Sequence, residues 1–182
     1  MNKPKIDIHE VTNFIQKQPR DSKIYIGCDS NTFKRRDGKW FADYITVVVV
    51  HMACPDIPGR MVGGKIFGEL VTEPDYSHTQ GNPNMRLINE VSKAAELFQK
   101  LSPAIGSRPV EIHLDINQDP LHASHAVAQQ AIGYIRGVCG IEPKIKPDAM
   151  AASYCADRFM RVKDYDLTKT DNTKKHYLKR KS

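Results

Sequence analysis

From Trp40 to Met52 the chain is dominated by β-branched and aromatic residues, and Tyr44 to Val50 is interrupted only by Thr46. Such residues lose side-chain freedom in a helix but sit well on a pleated surface, so the run demands a β-sheet. It is far too short to span a bilayer. Its neighbours follow suit. Lys23 to Asp29 reads as a strand, and a basic turn holding Asp37-Gly38 joins it to the long run. Pro55, Pro58 and Gly59 break the chain before a third strand from Met61 to Leu70. Three consecutive strands on short links form an antiparallel meander.

The remainder alternates. Leu87, Val91, Ala94, Phe98 and Leu101 share one face of a helix spanning Asn84 to Leu101, after a Pro-, Asn- and Gly-rich loop. Pro109 to Ile116 is a strand with Val110, Ile112, Leu114 and Ile116 on one side and Glu111, His113 and Asp115 on the other. A helix from Leu121 to Val138, a short strand from Glu142 to Ile145 and a helix from Asp148 to Val162 complete the order. Before the meander, Asp7-x-x-Glu10 is a capping box with Ile6 and Val11 as a staple, opening a helix that stops near Pro19. The alternating part implies right-handed crossovers to parallel strands, hence an α/β mixed sheet with helices on both faces. One domain covers residues 1–162, followed by a basic tail at 163–182.

Charge is uneven. Nine Lys/Arg against three Asp in residues 158–182 account for the whole net charge of +6. A neutral body with a basic end suits a phosphate backbone, or else a solvated, disordered terminus. Cys28, Cys54, Cys139 and Cys155 are scattered, without a C-x-x-C pair, and read as small residues in a reducing compartment. With no apolar leader after Met1, the default is a soluble cytoplasmic protein without a membrane anchor.

The chemistry lies in four acids. Asp29 ends the first strand with Tyr25 and Gly27 on its side, while Ile24, Ile26 and Cys28 face the other way. Asp115 has the same phase in its own strand. If those strands are adjacent and parallel, the two carboxylates project together and repel unless a cation lies between them. Glu90 sits at the edge of the helical stripe, and Asp148 follows Lys146-Pro147 at a helix start. Taken singly, Asp148 reads as a helix cap and Glu90 as a surface acid paired to Arg86 or Lys93. Oxygen donors on separate rigid elements are what hard cations require.

This element order resembles that of the ribonuclease H-like nucleases. Gly27-Cys28-Asp29-Ser30, His113-Leu114-Asp115-Ile116 and the segment from Glu142 through Asp148 to Ser153 are similar to the YkuK-like bacterial branch. The resemblance covers residues 7 to 160. It implies a ribonuclease H-like mixed five-stranded sheet with an additional N-terminal helix. It also implies Mg²⁺ or Mn²⁺ ligation by Asp29, Glu90, Asp115 and Asp148 as catalytic residues, with Glu96, Asp119 and Asp157 as alternatives. The implied reaction is phosphodiester hydrolysis of RNA, DNA or a hybrid by an endonuclease holding two cations about 3.5–4 Å apart.

Other groups suggest contacts with nucleic acid. Lys34, Arg35, Arg36 and Lys39, interleaved with Phe33, Trp40 and Phe41, can track phosphates and stack a base, or form an exposed hairpin tip whose aromatics fold back. Lys144 and Lys146 flank the approach to Asp148. His122 and His125 stand near the start of the helix after Asp115, as exposed histidines or proton shuttles rather than ligands. A nucleic-acid-binding module that keeps the fold without cutting, and a fold reused for protein interaction, are the competing classes.

Overall fold

The computed structural model describes residues 3–77, 84–116, 125–151, 155–156 and 159. Its elements are α1 (Ile8–Gln16), β1 (Lys23–Lys34), β2 (Trp40–Ala53), β3 (Met61–Pro74), α2 (Asn84–Ile105), β4 (Val110–Leu114), α3 (His125–Cys139) and β5 (Lys144–Ile145). The strands form one sheet in the order β3-β2-β1-β4-β5. β1 pairs antiparallel with β2 and parallel with β4, and β5 continues the parallel side. The antiparallel meander, the parallel crossovers and the N-terminal helix all match the expectation.

Both faces of the sheet are covered, which is why β2 is apolar at successive positions. On one face Ile24, Ile26, Tyr44, Val48, Ile112 and Leu114 pack against Val11 and Ile15 of α1, Val91 and Leu101 of α2, and Ala131 and Ile135 of α3. The other face is smaller. There Ile45, Val47 and Leu70 meet Ala156 and Phe159, two helical residues from the expected last helix. Most of that helix, together with residues 160–182, lies outside the described residues, as do Asp119, His122 and Asp157.

Several boundaries differ from the sequence reading, each for a physical reason. β1 runs to Lys34 rather than Asp29 and β3 to Pro74 rather than Leu70, because beyond the sheet proper the strands continue as a ribbon (Asn31↔Asp43, Lys34↔Trp40, Phe41↔Pro74). With less apolar cover there, alternation weakens and the sequence looks like loop. α2 continues through Pro103 to Ile105 before Gly106, at φ 58, turns the chain. Arg108 then donates to the carbonyls of Ala104 and Gln18, tying the ends of α2 and α1 together. The capping box forms only in half. Asp7 accepts from the N–H groups of His9 and Glu10, whereas the Glu10 carboxylate pairs with Lys65 at 3.3 Å.

Gly68 admits the last helical segment. A Cβ there would lie 2.9 Å from carbons of the Phe159 ring. Gly68→Ala should therefore lower unfolding free energy by about 1–3 kcal/mol through overpacking. Urea titration checks this, and Phe159→Leu in the same chain should restore part of the loss. An unchanged midpoint would mean that Phe159 does not dock on β3.

Candidate functional site

Parallel pairing of β1 with β4 organises the site. Cys28 faces Leu114 in register, and one step further along each strand stand Asp29 and Asp115. Strand alternation puts both on the face opposite Cys28 and Leu114, which are buried in the main core. The juxtaposition expected from sequence is therefore present. Asp29 accepts the neighbouring Ser30 N–H at 2.8 Å on Oδ1. The Lys146 ammonium lies 2.5 Å from Asp115 Oδ1 as an ion pair. That contact lacks hydrogen-bond alignment, and the same buried oxygen accepts no hydrogen bond. Lys146 is delivered there by backbone pairing, its N–H donating to Ile116 O just past the end of β5.

Glu90 is no surface acid. It is 4% exposed, and it approaches from α2 on the face where Ser30, not Asp29, points. Ser30 Oγ donates to Glu90 Oε1 at 2.5 Å, and Arg86, one helical turn earlier, donates to the same oxygen at 2.9 Å. Arg86 also donates to Ser30 Oγ and, at 3.3 Å, to the Ser30 carbonyl. The sequence reading allowed Arg86 as a partner. It missed that the pair is buried and that Ser30 completes it; the i, i+4 spacing beside Gly27-Cys28-Asp29-Ser30 is the only signal for this. Lys93, the other suggested partner, pairs with Glu73 at 2.6 Å instead.

Burial pushes the Glu90 carboxyl up to about 8. Hydrogen bonding from Ser30 and the Arg86 charge oppose this without cancelling it, and the nearby charges of Asp29 and Asp115 raise it further. Two of the other three proposed acids thus act on Glu90. Asp148 stands apart: it is exposed in the turn after β5, where its N–H donates to Ile145 O at 2.9 Å. Glu96 lies further along α2, also exposed.

His113 joins this face to the last helical segment. Ala151 N–H donates to its Nδ1 at 2.9 Å, which leaves Nε2 to carry the proton donated to Glu111 Oε2 at 2.9 Å. The strand bearing Asp115 is thereby tied to the backbone just beyond Asp148. Sequence alone offered His113 only as a residue in phase with Asp115.

The donor set suits a hard cation in kind, since it is carboxylate oxygen throughout and includes a buried oxygen that accepts no hydrogen bond. Among the described residues, no group of three or more His, Cys, Asp or Glu side chains is arranged as it stands to hold a metal ion. Glu90 meets Arg86 and Asp115 meets Lys146, so side-chain cations lie against two of the acids. In the β1–β2 turn, Arg35 lies 3.5 Å from the centre of the Phe41 ring and Lys34 5.9 Å from that of Trp40. Arg35 thus lies directly against one face of Phe41. Lys34, Arg35, Arg36, Lys39, Lys144 and Lys146 are all exposed. Among the described residues, no helix is long and apolar enough to cross a membrane.

A family model described as "Ribonuclease H-like" matches residues 7–161. Among curated proteins, "Uncharacterized protein YkuK" of Bacillus subtilis (strain 168) is 28% identical over 159 residues, covering 81% of this chain and 85% of its own length. No solved structure matches the chain.

The Glu90 environment has a thermodynamic consequence. A carboxyl raised from 4.5 to about 8 keeps its proton in the folded protein while the unfolded chain loses it. Its contribution to stability is present in full below pH 4.5 and is lost as pH rises to about 8. In chelator, the thermal midpoint of wild type should fall across that window relative to Glu90→Gln, measured by calorimetry. Parallel pH profiles for the two proteins would show that Glu90 ionises normally.

Proposed function

The chain belongs to the ribonuclease H-like family, and on that premise we propose that it is a metal-dependent nuclease hydrolysing phosphodiester bonds in nucleic acid. The observation that carries the reading is the pairing of β1 with β4, which brings Asp29, within β1, beside Asp115, just past the end of β4, near the buried Glu90. Carboxylates gathered in this way need positive charge, and the reacting phosphodiester brings only more negative charge. Asp29, Glu90 and Asp115, joined by Asp148 from the turn after β5, would hold Mg²⁺ or Mn²⁺. When bound, such ions supply Lewis acidity and a water acidic enough to attack phosphorus.

The chain's own groups have separable tasks. Asp29 and Asp115 present oxygen donors from rigid strands, so their separation is set by sheet geometry rather than by loop conformation. Ser30 and Arg86 orient the Glu90 carboxylate, which must give up its proton before it can act as a ligand. Lys34, Arg35 and Arg36 on the β1–β2 turn, with Lys144 and Lys146 at β5, provide positive charge for phosphates. With Arg35 laid over Phe41, the turn suits backbone tracking better than base stacking.

A second reading has a specific observation in its favour. Arg86 on Glu90 and Lys146 on Asp115 already supply positive charge at the acids, as a module that binds nucleic acid without cutting it would require. Cleavage of a labelled panel of RNA–DNA hybrid, single strands, duplexes and a four-way junction separates the two. For a nuclease, Asp29→Asn and Asp115→Asn should each lower metal-dependent cleavage by at least about a hundredfold while binding persists. Binding without cleavage in Mg²⁺ and Mn²⁺, unchanged by EDTA, would establish the binding module instead.

A further inference from the structure

The two side-chain cations of the site are held differently. Arg86 is woven in, donating to Glu90 Oε1, Ser30 Oγ and the Ser30 carbonyl from a mostly buried position on α2. Lys146 is exposed along nearly half of its side chain, and its ammonium reaches Asp115 as an ion pair without hydrogen-bond alignment. Removing Arg86 would uncover a buried acid. Moving Lys146 asks only for a rotamer change in a flexible four-carbon chain.

We propose that Lys146 is a placeholder cation: it neutralises Asp115 in the metal-free protein, gives way when a divalent cation binds, and then contacts a phosphate of the bound strand. The inference rests on the metal-dependent reading above and adds a linkage to it. Asp115 presents a buried oxygen that accepts no hydrogen bond, and an ammonium 2.5 Å away fills the space that a metal ion would enter. The two cations therefore compete for one oxygen. Once released, Lys146 remains anchored through its backbone to Ile116 O at the sheet rim. Its charge stays beside the acids, two residues from the exposed Lys144. Phosphate is the partner such a point charge takes up at the edge of a carboxylate site.

Competition and release give opposite signs in two measurements, which a purely structural lysine would not do. By calorimetric titration with Mn²⁺, Lys146→Gln should bind the metal about tenfold more tightly than wild type, and Lys146→Arg should stay near wild type. In an Asp115→Asn background the same Lys146→Gln change should leave Mn²⁺ affinity unaltered. Fluorescence anisotropy with a labelled RNA–DNA hybrid supplies the other sign. With Mn²⁺ present, Lys146→Gln should weaken binding and reduce the salt slope by about one, whereas without metal its slope should equal that of wild type. If wild type takes up Mn²⁺ and Lys146→Gln takes it up no more tightly, the placeholder role is overturned while the nuclease reading survives. If neither protein takes up Mn²⁺, both fail.

Discussion

β1 is constrained from two sides at once. Hydrogen bonding to β2 in one direction and to β4 in the other fixes its register twice. A slip of one residue would turn Ile24, Ile26 and Cys28 out of the main core and Asp29 into it. The cost would be several buried aliphatic side chains and one desolvated carboxylate, far more than any loop rearrangement returns. Everything at the candidate site inherits this double constraint. Asp29 and Asp115 are neighbours because Cys28 and Leu114 are, and Ser30 meets Glu90 because it shares the phase of Cys28.

Glu90 shows how such a frame tolerates an awkward group. Burial disfavours its charge, and two aspartates nearby disfavour it again. Ser30 and Arg86 provide donors to one oxygen, so the carboxyl stays hydrogen-bonded even where ionisation is costly. The arrangement stores an ionisation that a second positive charge can release. Buried acids whose pKa is raised by desolvation and by neighbouring charges gather at functional sites for this reason.

The acids reach the rim from both faces of the sheet, Glu90 from the side of α2 and the aspartates from the side that meets Phe159 and Ala156. His113 couples that second side to the backbone at Ala151. Covering both faces thus does more than close the core. It brings elements distant in sequence to a single edge, where Lys146, just past β5, pairs with Asp115.

Periodicity and breakers determined the element order, the mixed sheet and the faces of the strands, because side-chain alternation and helical spacing are local properties that burial enforces directly. Asp29 at the end of an apolar run, Asp115 on the polar side of its strand, Glu90 at the edge of a helical stripe and Asp148 after Pro147 were visible in the same patterns, but a shared role for them came from the resemblance. Strand ends escaped this reading: in the β1–β2 ribbon beyond Asp29 the main chain pairs, but alternation fades as apolar cover is lost. Pairing partners escaped it too. That Glu90 is buried, that Ser30 and Arg86 share its oxygen, that Lys146 finds Asp115 and that His113 grips Ala151 are contacts across as many as 60 residues of chain. No local pattern encodes a distance of that kind. The sheet order β3-β2-β1-β4-β5 decided that Ser30 met Glu90 and Lys146 met Asp115, because the energy of a buried charge depends on its neighbours in space.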